Sequence, residues 1–169
     1  AQGGGLVSFL SRAENPAWRK RVEALGFGFV PLASSHPSPE DLKATLQAAA
    51  PSEESRPWLA LDGYHFDGDY QKAARAAGCR VLALDDYGHA PVFHADLILN
   101  QNAGAETRTY ACDPDTLALL GSRYALLRPE FLSWKDRPRV VAKTARKVLV
   151  TLGGADPDNA TLAVVAALA

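Results

Sequence analysis

The stretch that decides the fold runs from Leu59 to Asp67 and reads LALDGYHFD. An apolar run leads into Asp62, Gly63 breaks the pattern, and Tyr64 follows. A continuous apolar run bounded by turn residues is typical of a buried strand in a parallel sheet. Because ligands bind outside the carboxyl ends of such strands, the polar residues of this stretch are expected to face a binding crevice.

Further segments repeat this arrangement of an apolar run that ends on polar residues. They are Val81–Leu84 before Asp85 and Asp86, Asp96–Leu99 before Asn100, Gln101 and Asn102, and Val148–Leu152 before Gly153, Gly154 and Asp156. Helical segments separate the runs, and this alternation indicates βαβ units. The sequence therefore predicts an α/β fold with a Rossmann-like parallel sheet.

The order of the elements predicts two domains. The alternation pauses after residue 99 and restarts at Lys147, and such a pause suggests a domain boundary. We expect residues 1–135 to form an N-terminal domain, and residues 136–169 to form a connector with the first βα unit of a second domain. That unit would contain a strand at Lys147–Leu152. In the first domain, Trp58 and Phe93 are expected in the core.

Composition limits the function classes. The chain has 169 residues, 47% of them hydrophobic, and a net charge of −1, so neither a nucleic acid nor an anionic membrane is indicated as a partner. No signal peptide or membrane span is evident. Two cysteines without metal spacing suggest reduced thiols in a cytoplasmic protein. The chain lacks methionine even at its start, and its last helical segment is still apolar where it stops, so a fragment is expected.

The segment GGADPDNAT at 153–161 combines two glycines with the start of a helix. Glycines allow close approach to the backbone, and free N–H groups at a helix start favour phosphate. Asp156 would cap this helix, and the candidate diphosphate-binding residues are Gly153, Gly154, Asp156 and Thr161. Because carboxylates repel phosphate, a plain turn and a diphosphate site both remain open.

The crevice of the first domain offers three kinds of chemistry. Tyr64 is the candidate catalytic residue, since it could stack on a ligand and donate a hydrogen bond. The Asp62, Asp85 and Asp86 carboxylates are candidate substrate-binding groups that could bind hydroxyl groups or cap loops. The amides of residues 100–102 could pair with hydroxyl or acetamido groups. Asp85, Asp86, His89 and His94 could also bind a divalent metal, although their spacing matches no strong metal motif.

Five segments stand in a fixed order along the chain. They are LDGYHFD at 61–67, LDD at 84–86, ADLILNQN at 95–102, LGSRYALLRPEF at 120–131 and LVTLGGADP at 149–157. As a set they resemble the UDP-sugar hydrolases of pseudaminic acid biosynthesis, together with relatives in spore-coat polysaccharide synthesis. The resemblance extends over nearly the whole chain.

That family removes UDP from UDP-2,4-diacetamido-2,4,6-trideoxy-β-L-altropyranose, and it resembles the GT-B glycosyltransferases. The resemblance implies two Rossmann-like domains around a cleft, with the sugar on the N-terminal one and the nucleotide on the C-terminal one. It implies inverting attack of water at the anomeric carbon, with no metal and no cofactor. It assigns Tyr64 and residues 100–102 to the sugar side, and Gly153 and Gly154 to the diphosphate side.

The chain departs from the family at its start. The family opens with a strand and a Gly-His loop that supplies the presumed general base, and this chain shows neither, so the chain by itself is expected to be inactive. Two alternatives remain open. One is a GT-B glycosyltransferase that uses an acceptor alcohol instead of water, and the other is a sugar-nucleotide binding module without catalysis. A metal-dependent hydrolase is a further reading.

Overall fold

A computed structural model describes residues 5–12, 15–138, 140–152, 156 and 158–168. The strands are β1 (Ser8–Ser11), β2 (Gly28–Pro31), β3 (Trp58–Asp62), β4 (Arg80–Leu84), β5 (Leu97–Asn100) and β6 (Leu117–Leu120). The α-helices are α1 (Pro16–Ala24), α2 (Pro39–Ala49), α3 (Gly68–Ala76), α4 (Pro129–Leu132) and α5 (Ala160–Leu168). Contacts divide the chain into two compact units, Ala1–Leu126 and Leu127–Ala169.

All strand pairs are parallel, which confirms the predicted α/β class. Four strands form one sheet in the order β3-β4-β5-β6, and β1 pairs with β2 in a second sheet. In the register, Leu59 lies opposite Val81, Ala83 opposite Ile98, and Asn100 opposite Leu120. Within the described residues, β3 pairs on one side only, with β4, and β1 pairs only with β2.

One face of the larger sheet forms the core with α3. Buried Leu59 and Leu61 of β3 join Val81 of β4 and Ala74 of α3 in a single apolar cluster. Because successive strand side chains point to opposite faces, Trp58 points away from this cluster.

The two aromatic residues that were predicted to lie in the core differ in burial. The prediction for Trp58 was wrong, since this side chain is 49% exposed, and the prediction for Phe93, at 1%, is confirmed.

The start of α3 is fixed by a side-chain cap from Asp67. Asp67 Oδ1 accepts a hydrogen bond from the Tyr70 N–H at 2.9 Å, and this bond is the main cause that lowers the pKa of Asp67. The helix ends before Gly78, whose φ of +99° suits glycine. The cap and the glycine therefore place the β3–α3 loop, residues 63–67, at the carboxyl end of β3.

A buried polar contact ties α2 to α3. The Tyr70 hydroxyl donates to Asp41 Oδ1 at 2.7 Å, and the Asp41 side chain is 2% exposed. Leu42 and Leu46 of α2 are partly buried against the core. The helix therefore contributes a mixed face, with a hydrogen-bonded carboxylate beside its leucines.

Two segments differ from the sequence-based expectation. Strand β6 was not predicted, and it extends the sheet by pairing along β5. Conversely, residues 147–152 form no strand, although a strand was predicted there. A parallel strand needs a neighbour to satisfy its ladder, and no described segment pairs with these residues. Val148 and Leu149 are accordingly 62% and 88% exposed.

The second unit contains α4 and α5. Asp156 accepts hydrogen bonds from the N–H groups of Ala160 and Thr161, the first two residues of α5. Asp156 therefore caps this helix, as predicted. Throughout the described ranges, no helix is both long and apolar enough to cross a membrane.

Candidate functional site

Polar residues from three neighbouring strand ends meet at Asp86. The Tyr64 hydroxyl, from the loop after β3, donates a hydrogen bond to Asp86 Oδ2. Asn102, just beyond β5, donates from Nδ2 to Asp86 Oδ1 at 2.6 Å. Both oxygens of this carboxylate are thus held by side chains from the adjacent strands. We call Tyr64, Asp86 and Asn102 the Asp86 cluster.

The Tyr64 phenol keeps its proton. The hydrogen bond to Asp86 is the main cause that raises the pKa of Tyr64 to about 12, because an adjacent carboxylate disfavours a second negative charge. The ring is half exposed and lies 4.8 Å, centroid to centroid, from the ring of Tyr87. The pair therefore offers a partly exposed aromatic surface, and Tyr64 acts as a donor rather than as a base near neutral pH.

Asp85 lies beside Asp86 in sequence but points into the protein. It is 3% exposed, and its carboxylate accepts hydrogen bonds from the Gly88 and His89 N–H groups at 2.5 and 3.0 Å. The Tyr110 hydroxyl donates to it at 2.7 Å. Burial acts to raise the pKa of Asp85, but these hydrogen bonds outweigh it and the pKa is lowered. Asp85 therefore shapes the loop after β4.

Asn100, like Asp85, has a structural role at the site. Its Nδ2 donates to the Asp86 carbonyl at 3.0 Å and to the Tyr110 hydroxyl at 2.9 Å, and its Oδ1 accepts from the Asn102 N–H. The residue is fully buried. Every polar atom of this amide is therefore occupied, and its effect is to position Asp86 and Asn102.

The remaining predicted residues of the first unit lie at the edges of the site. Gln101 accepts a hydrogen bond from the Leu126 N–H at 2.8 Å and so holds the chain after β6. Asp62, at the end of β3, is exposed. Among the described residues, no side-chain partner of Asp62 is found.

A polar pocket of about 390 Å³ opens beside the Asp86 cluster. Its lining includes Asp86, Asn100, Asn102, Thr107, Arg108 and Thr109. The negative charge of Asp86 and the positive charge of Arg108 cancel, and the remaining polar side chains of the lining carry hydroxyl or amide groups. Ligand pockets commonly range from about 300 to 1,000 Å³, so this one is large enough for a single small polar group such as a sugar.

The residues considered for a metal belong to separate networks. His89 Nδ1 lies 2.6 Å from Asp85 Oδ1, whereas Asp86 is held by Tyr64 and Asn102. His94 Nδ1 lies 3.0 Å from Asp113 Oδ1. Within the described ranges, no three His, Cys, Asp or Glu side chains group as a metal site requires.

In the second unit, Gly153 and Gly154 lie outside the described residues. Asp156 and Thr161 are described. The Asp156 carboxylate accepts hydrogen bonds at the start of α5. The main cause that lowers the pKa of Asp156 is the hydrogen bond from the Thr161 side chain, followed by that from the Thr161 N–H. The Ala160 and Thr161 N–H groups that a phosphate would use are therefore occupied by this cap.

The structure adds residues that sequence reasoning did not place at the site. Tyr110 supports Asp85 and Asn100 from the segment between β5 and β6, and Arg108 donates to the Tyr87 carbonyl at 2.8 Å. Burial, followed by the bond to Asp85, raises the pKa of Tyr110 to about 12. An aromatic residue within a polar stretch was the available signal for Tyr110.

Comparison with known proteins leaves the family open. No protein-family model matches the chain. An uncharacterized protein of Methanocaldococcus jannaschii is 25% identical over 147 residues, which cover 84% of this chain and 28% of that protein. The chain thus spans little more than a quarter of this relative's length.

Proposed function

We propose that this chain belongs to a nucleotide-sugar hydrolase that releases UDP from a UDP-diacetamido-trideoxy sugar, and that the Asp86 cluster and its pocket bind the sugar. The observation that carries the proposal is the convergence of Tyr64, Asp86 and Asn102 at the carboxyl ends of β3, β4 and β5. In open parallel sheets this is the edge where ligands bind.

The chemistry of the pocket supports a sugar rather than a diphosphate. Asp86 accepts hydrogen bonds from hydroxyl or amide N–H groups and repels phosphate. Asn102, Thr109 and Arg108 supply donors for hydroxyl or acetamido oxygens. The half-exposed rings of Tyr64 and Tyr87 suit the apolar face of a sugar ring.

In the proposed reaction, water attacks the anomeric carbon and forms a new C–O bond there. The bond from that carbon to the UDP oxygen breaks, UDP leaves with the electron pair, and the attacking water loses a proton to a base. Tyr64 is not proposed as this base, since its pKa is raised to about 12. Its role is to donate to Asp86 and to contact the sugar. The proposal places the reaction in the cytoplasm, with Cys79 and Cys112 as free thiols.

Ligand binding to the 169-residue chain tests the site. We expect the UDP-sugar and the free diacetamido sugar, but not UDP alone, to shift the NMR signals of the Asn102 side-chain amide and the Thr109 N–H. Asn102→Ala should weaken this binding at least tenfold. Gln47→Ala, on the outer surface of α2, serves as the control. Shifts with UDP alone, or no saturable shifts, would overturn the sugar assignment.

Turnover is tested in the full protein that carries this chain. Hydrolysis in ¹⁸O-labelled water should place the label on the sugar and none on UDP. Label-free transfer to an added alcohol would instead identify a glycosyltransferase. Binding without any UDP release would identify a binding module.

A further inference from the structure

We propose that Arg108 is the specificity-determining residue of the pocket beside the Asp86 cluster, and that its guanidinium selects an N-acylated sugar over the corresponding free amino sugar. This inference rests on the proposed function, because it assigns a role within the same sugar site.

Arg108 lies at the end of a short loop that contacts the loop after β4 at both of its ends. We call residues 102–108 the pocket loop. At its start, Asn102 Nδ2 donates to Asp86 Oδ1 at 2.6 Å, and at its end, Arg108 Nη1 donates to the Tyr87 carbonyl oxygen at 2.8 Å. Because Asp86 and Tyr87 are neighbours in sequence, these two contacts hold the pocket loop against one short segment.

The backbone of the pocket loop forms a single 3₁₀ turn. The turn spans Ala105–Thr107, and Ala105, which is 5% exposed, anchors it in the protein. The Arg108 N–H donates to the Ala105 carbonyl oxygen at 2.9 Å, and the Thr107 hydroxyl donates to the Gly104 carbonyl oxygen, also at 2.9 Å. The backbone of Arg108 is therefore held in place without any ligand.

Most N–H groups of the Arg108 side chain are left for a ligand. A guanidinium carries five N–H groups and no acceptor. Arg108 is exposed and lines the pocket, and among the described residues its side chain makes one hydrogen bond, to the Tyr87 carbonyl oxygen. The remaining N–H groups can bind an acceptor oxygen that a ligand brings into the pocket.

The acceptor atoms of the pocket are more fully used than these donors. Asp86 Oδ2 accepts from the Tyr64 hydroxyl and Oδ1 accepts from Asn102, so each oxygen of this carboxylate already has one donor. Asn100 Oδ1 accepts from the Asn102 N–H. A ligand group that supplies an acceptor oxygen therefore fits this lining better than a group that supplies only donors.

This balance distinguishes an N-acyl group from an amine. The acyl carbonyl oxygen accepts hydrogen bonds, and a bond from a charged donor is roughly twice as strong as a neutral one. A free amino sugar carries an ammonium group near neutral pH, which supplies only donors and has the same charge as Arg108. Arg108 is therefore expected to raise the affinity for the N-acyl sugar and to lower the affinity for the amine.

The test compares the two sugars in one protein. The probes are free 2,4-diacetamido-2,4,6-trideoxyaltrose and the same sugar without its two acetyl groups, each titrated by NMR into the 169-residue chain at pH 6. The unaltered chain should bind the diacetamido sugar at least about tenfold more tightly. Arg108→Gln should weaken binding of the diacetamido sugar about tenfold and strengthen binding of the diamino sugar, whereas a merely structural defect would weaken both.

Two further variants separate the charge of Arg108 from its shape. Arg108→Lys keeps the charge but lacks the planar fork, so it should weaken binding of the diacetamido sugar and still exclude the diamino sugar. Arg80→Gln removes the same charge at the exposed start of β4, the opposite end of the strand from Asp86, and should leave both affinities unaltered. A preference that persists in Arg108→Gln, or that disappears in Arg80→Gln, would overturn the assignment.

A measurement without ligand distinguishes this inference from the proposed function. The ¹³C shift of the Tyr87 carbonyl should change in Arg108→Gln and stay unaltered in Arg80→Gln, since the contact between Arg108 and Tyr87 needs no sugar. An unchanged Tyr87 shift would refute the geometry on which the selection rests. If the shift changes and neither sugar binds, the proposed function is rejected and the selectivity with it; if the sugars bind without the expected preference, the selectivity alone is rejected.

Discussion

The Tyr64 hydroxyl donates to the Asp86 carboxylate and thereby joins the carboxyl ends of β3 and β4. This contact requires a protonated phenol, because a phenolate would face a carboxylate of the same charge. The candidate site therefore presents a fixed donor–acceptor pair, and its parts can be tested one at a time.

The first prediction concerns the Tyr64 proton. The carboxylate raises the pKa of Tyr64 to about 12, so its ¹³Cζ signal should still be that of a phenol at about pH 11. Asp86→Asn removes the negative charge and should lower the titration midpoint. Asp62→Asn changes a nearby strand end without touching Tyr64 and should leave the midpoint unaltered. A midpoint that ignores Asp86→Asn would contradict the assigned cause.

The second prediction concerns the stability that Asp85 provides. Asp85→Asn leaves the buried His89 ring without its carboxylate, and we expect the free energy of unfolding to fall by about 3 kcal/mol. Asp62→Asn is the same substitution at an exposed strand end and should change it by less than about 0.5 kcal/mol. Urea unfolding at pH 7 measures both variants. Equal losses of unfolding free energy in the two variants would show that the Asp85 hydrogen bonds do not stabilise the loop after β4.

The third prediction follows from the lowered pKa of Asp85. A group with a folded pKa below its unfolded value near 3.8 stabilises the fold above that pH, and the stabilisation is lost as the pH falls through the folded pKa. The stability difference between the unaltered chain and Asp85→Asn should therefore shrink below about pH 4. Urea unfolding at pH 3 and pH 6 measures this difference. A constant difference would mean that the Asp85 charge has no part in it.

The fourth prediction separates the two aromatic residues that the sequence placed in the core. Phe93 is 1% exposed and packs against His89 and Tyr110, so Phe93→Ala should cost about 4 kcal/mol. Trp58 is 49% exposed and contacts Arg80, so Trp58→Ala should cost about 1 kcal/mol. Urea denaturation midpoints measure the contrast, and a larger loss for Trp58 would contradict the burial seen here.

The strands that sequence predicted well are those with apolar runs that stop at polar residues. β3, β4 and β5 fit this pattern, and the capping Asp67 and the closing Gly78 bound α3. β6 was missed because its run, Leu117–Leu120, is short and directly follows a polar stretch. Residues 147–152 show the opposite error, since strand propensity alone does not supply a pairing partner.

The sequence predicted where the candidate site lies on the sheet, but it did not predict which side chains contact each other there. The rule for parallel sheets brought Tyr64, Asp86 and Asn102 to one edge. It could not distinguish Asp85 from Asp86, because neighbouring carboxylates at a strand end point in opposite directions and only the tertiary fold decides which one is buried. Tyr110 and His89, which occupy the Asp85 carboxylate, come from segments with no regular period.

The pairing of β3 on one side also has a consequence that can be expected in concentrated solution. Across the part of the chain that the structure describes, β3 pairs along one edge with β4, and no strand pairs with its other edge, beside which Trp58 and Ala60 have exposed side chains. Such an edge is a template for any extended peptide, including a second copy of the chain. We therefore expect self-association to grow with protein concentration, and Ala60→Lys, which places a charge beside this edge, should reduce it.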